Sequence, residues 1–123
     1  MAAKVVDASA VVALLFGEAE GPGIAERLRG ADLIAPALLP FELANVCLKK
    51  IRRHPAQGDA IRTSFRMFDR MAVSVIEVDQ GQALALAESS GLTAYDASYL
   101  WLARRMGSEL VTLDRQLAAA AVL

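Results

Sequence analysis

Lys4, Val5, Val6, Asp7, Ala8, Ser9 and Ala10, followed by Val11, Val12, Ala13, Leu14, Leu15 and Phe16, hold the decisive signal in the chain. Residues 4–6 read as a short buried strand, Asp7, Ala8 and Ser9 as a turn, and residues 10–16 as an apolar helix. A strand that passes straight into a helix leaves an acid at its carboxyl end. Open parallel sheets bind their ligands at that place, where helices begin.

The rest of the chain repeats the alternation. Gly17, Gly21, Pro22 and Gly23 punctuate the approach to a short helix over 24–29, which Gly30 closes before a strand over 33–35. Pro40 suits the first turn of a helix reaching Arg53, with Phe41, Ala44, Leu48 and Ile51 as its apolar face, and the His54-Pro55 pair ends it. A helix over 59–71 follows, forming a hairpin with its predecessor, with Ile61, Phe65 and Phe68 inside and Arg62, Arg66 and Arg70 in an outer stripe. Then come a strand over 73–78, a helix over 82–90 capped by Gly91, a helix opened by Thr93 and ending near Gly107, and a strand over 109–113. A helical turn at Asp114 and a final edge strand over 121–123 complete the pattern. Short apolar strands alternating with amphipathic helices imply crossover connections, so the expected class is α/β with a mostly parallel sheet covered on both faces.

Composition narrows what such a fold can do. The 123 residues are 55 % apolar and 22 % charged, which fits a single domain over 1–123 with a real core and excludes disorder. The apolar runs 10–16 and 33–41 fall far short of the roughly 18 residues of a membrane span, and Asp7 interrupts any secretory signal, so a cytoplasmic protein is expected. Cys47 is the sole cysteine and His54 the sole histidine. An intramolecular disulfide, cysteine-based zinc sites and paired-histidine catalysis are thereby excluded, and Cys47 is expected to be a small buried residue. Chemistry must rest on carboxylates or hydroxyls. The net charge of −1 conceals segregation: residues 49–70 carry seven Lys and Arg against two Asp, while the remainder has a surplus of six acids. That basic segment suits a polyanion or an acidic partner, and equally a solvated helix pair.

Four acids fall at strand ends or helix starts: Asp7 follows the first strand, Glu42 and Asp96 lie in the first turns of their helices, and Asp114 ends the strand over 109–113. Each has a structural explanation, Asp7 and Asp114 as helix caps, Glu42 as a complement to the helix dipole, and Asp96 as half of a capping box with Thr93. Gathered on one rim they would repel one another and raise their pKa values unless a cation neutralised them. An oxygen-only donor set selects Mg²⁺ or Mn²⁺ over zinc or copper. Such a cation polarises a phosphate and lowers the pKa of a bound water without a histidine base, so phosphodiester hydrolysis suits the inventory. Ser9 and Thr112 could orient the carboxylates or be ordinary turn and strand hydroxyls. Asn45, one helical turn beyond Glu42, could meet a phosphate or simply face solvent.

These residues resemble the PIN-domain family, specifically the VapC-type toxin ribonucleases of bacterial toxin-antitoxin pairs. The resemblance spans nearly the whole chain and rests on Val5, Val6, Asp7, Ala8, Ser9 and Ala10; on Pro40, Phe41, Glu42, Leu43, Ala44, Asn45 and Val46; on 93–103 around Asp96; and on 111–117 around Asp114. It implies a three-layer α/β/α sandwich and Mg²⁺ or Mn²⁺ held by Asp7, Glu42, Asp96 and Asp114. It also implies endoribonuclease activity, a homodimer and inhibition by a VapB-like antitoxin. Leu117 departs from the aromatic residue that family members often place three positions after the last acid, and with Leu123 following so closely any C-terminal element is expected to be minimal.

Other readings meet specific obstacles. A receiver domain would place two adjacent acids after the first strand, but Val6 precedes Asp7; a haloacid-dehalogenase-type phosphatase would need an acid where Ser9 stands. A Ser-His-Asp hydrolase would depend on His54, which sits in a basic run before Pro55 without a nucleophile elbow. A PIN-like module that binds RNA or protein without cutting is the remaining alternative. Near the arginines only Phe65 and Phe68 offer rings for base stacking, and their spacing assigns them to the core. Replacing Arg62, Arg66 and Arg70 together should weaken RNA or antitoxin binding, read as affinity for each partner. Unchanged affinity for both partners would leave the stripe as a solvated face.

Overall fold

The computed structural model describes residues 2–122. Strands β1 (Ala3–Val6), β2 (Asp32–Pro36), β3 (Ser74–Ile76) and β4 (Glu109–Val111) form one all-parallel sheet in the order β3-β2-β1-β4. Between and after them run α1 (Ala8–Leu15), α2 (Gly21–Leu28), α3 (Leu39–Arg53), α4 (Gly58–Arg66), α5 (Gln80–Ser90), α6 (Ala94–Met106) and α7 (Arg115–Ala121). In central strand β1, Val5 lies opposite both Ile34 and Leu110, and Val5 and Val6 are wholly buried. A strand covered on both faces needs apolar side chains in both directions, which is why so short a run suffices. Helix α6 packs on β1, β2 and β4 and is flanked by α5 and α7; α1 packs on α2 and α3, and α3 on α4. The result is a three-layer α/β fold.

The path of the chain fixes where a ligand can enter. From β1 it steps outward through β2 to β3, then returns to place β4 on the opposite side of β1. The reversal creates a topological switch point between β1 and β4, and the crevice beyond their carboxyl ends is where open α/β sheets bind ligands.

Several expectations need correction. The apolar stripe read for α3 faces mostly outward: Phe41 is 77 % exposed, Ala44 and Leu48 are exposed and Ile51 is half-buried, whereas Leu39, Leu43 and Cys47 are buried. Helix α3 carries two apolar stripes, and helical periodicity alone does not tell which one the core selects. The helix expected over 59–71 is α-helical only to Arg66 and tightens into a 3₁₀ turn over Met67–Met71, closed by Ala72 at φ 52°. No edge strand forms at Ala121 and Val122; Ala121 ends α7, and Leu123 lies outside the described residues. Asp114 caps α7, and the alanines behind it are the strongest helix formers. Strand β4 stops at Val111 rather than 113, which frees Thr112 to turn toward β1. Leu117 is fully buried and fills its place in the core without an aromatic ring.

If α3 is seated by its Leu39, Leu43 and Cys47 side, Leu43→Ala lowers unfolding free energy by about 2–5 kcal/mol. Leu48→Ala changes it by about 0.5 kcal/mol or less. Urea unfolding of both variants measures the difference, and the reverse order would mean that the other stripe is the seat.

Candidate functional site

Asp7 occupies the switch point. Its backbone N–H donates to the Val111 carbonyl (3.4 Å), continuing the β1–β4 pairing past the last strand residue. Its side chain caps α1 by accepting from the Ala10 N–H (3.1 Å). The same Oδ1 accepts from the Ser9 hydroxyl (2.7 Å), and Oδ2 accepts a short bond from the Thr112 hydroxyl. The two hydroxyls serve the neighbouring backbone as well, Ser9 accepting from the Leu113 N–H (2.9 Å) and Thr112 from the Asp114 N–H (3.0 Å). Asp7 is only 6 % exposed, and burial pushes its pKa up, with Asp114 adding to the rise and the three hydrogen bonds opposing it. Ser9 and Thr112, expected as orienting residues, thus touch the carboxylate directly.

Glu42 stands in the first turn of α3 and Asp96 in the first turn of α6. The Tyr99 hydroxyl donates to Glu42 Oε1 (2.5 Å) and joins the two helices. Asp96 donates its N–H to the Thr93 hydroxyl (3.0 Å), which caps α6. Burial raises the pKa of Glu42, with repulsion from Asp96 and Asp7 adding to it against the Tyr99 hydrogen bond. Burial also raises Asp96, reinforced by Asp114 and Asp7. Tyr99 is 1 % exposed and its phenol is held strongly neutral by burial and by the Glu42 carboxylate. Tyr99 escaped the sequence reading. The available signal was its position three residues after Asp96, the spacing that puts two side chains on one side of a helix.

Asp114 is exposed and caps α7 through the Leu117 N–H (2.9 Å). Asn45 is exposed and lines a pocket with Glu42. Among the described residues, none of the four acids has a cationic partner within salt-bridge distance. At the opposite end of the sheet Glu109 is paired with both Lys4 (3.2 Å) and Arg27 (2.8 Å), and its pKa falls accordingly. Among the described residues no three His, Cys, Asp or Glu side chains already stand at metal-holding distances. Mg²⁺ does not require such a cage, since it keeps several waters and commonly binds through one or two carboxylates. The oxygen donors and the uncompensated negative charge therefore fit that class of ion.

A sequence profile of the PIN domain matches residues 4–123. The chain belongs to the PIN-domain family. Ribonuclease VapC3 of Pyrobaculum aerophilum is 38 % identical over 120 residues, which span 93 % of this PIN-domain chain and 91 % of that protein. The crystal structure of PAE2754, also from Pyrobaculum aerophilum, superposes with a TM-score of 0.75 at 30 % identity, covering 97 % of this chain and 86 % of that one. No helix among the described residues of this PIN domain is long and apolar enough to cross a membrane.

The raised carboxylates carry a stability consequence whose sign is fixed. A folded-state pKa above the ordinary values, 3.8 for Asp and 4.5 for Glu, means that ionisation opposes folding, so stability falls as pH climbs through the raised values. Without added cation, Asp96→Asn should raise the melting temperature at neutral pH by roughly 2–4 °C, and the gain should vanish below about pH 4. Asp7→Asn should instead lower it, because an amide cannot accept from both hydroxyls and a buried donor left unmade costs about 1–3 kcal/mol. Thermal melts of the two variants against pH measure both effects; a stabilised Asp7→Asn would refute the hydroxyl network.

Proposed function

We propose that this PIN-domain protein is a Mg²⁺- or Mn²⁺-dependent endoribonuclease, the toxin of a VapBC-type toxin-antitoxin pair, acting in the cytoplasm as a homodimer and restrained by a cognate VapB-like antitoxin. The observation that carries this reading is the set of acids with raised pKa values beyond β1 and β4, none with a cationic partner within salt-bridge distance among the described residues. The likeness to a protein named Ribonuclease VapC3 over almost the full length of both supports the same substrate class.

Asp7, Glu42, Asp96 and Asp114 would hold the cation, which when bound supplies Lewis acidity toward a phosphate and a more acidic water. The chain's own residues supply position and charge. Ser9, Thr112 and the Ala10 N–H engage both oxygens of Asp7 and fix the orientation of that carboxylate. Tyr99 restrains one oxygen of Glu42 and leaves the other free. Asn45, exposed beside Glu42, presents an amide that can hydrogen-bond the RNA substrate. Proton transfer is assigned to the carboxylates and water. Arg62 is engaged with Asp59 (2.8 Å) and Lys50 with Glu18 (4.0 Å), so the guidance of RNA by the basic segment rests mainly on Lys49, Arg52, Arg53, Arg66 and Arg70.

The competing reading is a PIN-like module that binds RNA or protein without cutting. Incubating end-labelled cellular RNA with purified protein separates the two readings. Defined fragments are expected with Mg²⁺ or Mn²⁺, and none with EDTA or with identically purified Asp96→Asn. Cleavage that survives EDTA or the substitution would overturn the metal-dependent assignment, and no cleavage of any RNA would leave the binding module.

A further inference from the structure

The aromatic side chains are distributed unevenly. Tyr99 is buried; Phe16, Phe65, Phe68 and Trp101 are half-buried; only Phe41 and Tyr95 are exposed, at 77 % and 63 %. Each of these two immediately precedes a candidate carboxylate, Phe41 before Glu42 on α3 and Tyr95 before Asp96 on α6. Although far apart in sequence, they line one open pocket of about 310 Å³ together with Leu38, Glu42 and Asn45. The core does not account for these rings, since α3 is seated by Leu39, Leu43 and Cys47 and α6 by residues 97–100, 102 and 103.

We infer that Phe41 and Tyr95 form a base-stacking subsite, in which an unpaired nucleobase of single-stranded RNA packs against the rings and meets the Asn45 amide at its edge. The inference rests on the reading of RNA as substrate and adds the form of RNA required. Three features favour a base over other occupants. The rim of the pocket bears the Glu42 carboxylate, which repels phosphates and acidic peptides but not the neutral face of a base. An aromatic ring gives a base an attraction that needs no charge, and an amide both donates and accepts, as base edges do. The pocket is also small and fed by two rings rather than a continuous groove, which suits one planar group better than a docked helix. A base paired within a duplex cannot enter, so unpaired RNA is selected.

The test measures fluorescence anisotropy of a short labelled oligoadenylate and of the same strand carrying abasic positions, in EDTA so that binding is read without cleavage. Wild type should bind the oligoadenylate more tightly than the abasic strand. Phe41→Ala and Tyr95→Ala should each weaken the oligoadenylate by about tenfold and leave the abasic strand unchanged. Phe41→Tyr and Tyr95→Phe should restore binding to within about twofold, whereas Phe41→Leu, which keeps apolar area but not the ring, should not. Both positions are exposed, so melting temperatures should stay at the wild-type value. The inference is overturned if wild type does not distinguish the two strands, or if both alanine variants bind as wild type does. It is also overturned if removing the rings shifts gel-filtration elution to a smaller species, since a second copy would then cover them. The outcomes separate from those of the nuclease reading. Ring-dependent binding by a protein that cuts no RNA leaves the subsite standing and removes the nuclease, while metal-dependent cutting with ring-independent binding does the reverse.

Discussion

The bond from Thr112 to Asp7 joins the two strands whose meeting defines the site. Strands β1 and β4 are separated by almost the whole chain, and their pairing ends with the Asp7 N–H on the Val111 carbonyl. Beyond that point the backbone ladder is replaced by side chains: Thr112 and Ser9 hold the Asp7 carboxylate, and the same hydroxyls take up the N–H groups of Asp114 and Leu113. A carboxylate with so little solvent must have its acceptors filled, and here hydroxyls and one helix N–H fill them without a neutralising cation. The arrangement fixes the orientation of the acid and leaves its charge uncompensated.

That imbalance distinguishes the two ends of the sheet. At the amino end Glu109 sits between Lys4 and Arg27, an exposed cluster of the kind that contributes little to stability. At the carboxyl end Asp7, Glu42 and Asp96 are partly or wholly withdrawn from water, and burial raises the pKa of all three; Asp114 adds to the rise at Asp7 and Asp96, and Asp7 adds to it at Glu42 and Asp96. Structural needs alone would favour caps that are exposed and charges that are paired. Asp114 meets that description in its exposure; Asp7 and Glu42 do not.

Much of this was legible in the residues. Val5, Val6 and Asp7 gave the strand and its terminal acid because a strand buried on both faces needs only a few apolar residues, and Asp has few reasons to follow one directly. Thr93 and Asp114 marked helix starts by capping chemistry that is local to each turn. The α3 stripe was misread for the complementary reason. Phe41, Ala44 and Leu48 satisfy helical spacing as well as Leu39, Leu43 and Cys47 do, and only contact with the rest of the fold separates them. The strand expected at 121–123 failed because strand formation depends on a partner edge, whereas the alanines of α7 can extend a capped helix unaided.

The sequence by itself determined the α/β alternation, the identity and order of the four acids and the lack of a histidine pair or a cysteine cluster, since these follow from local propensity and from counting. Only the tertiary structure decided that Ser9 and Thr112 meet on Asp7, that Tyr99 reaches Glu42, and that Phe41 and Tyr95 share a pocket. Those contacts join residues distant along the chain, and their geometry is set by strand order and helix rotation, which no local pattern encodes.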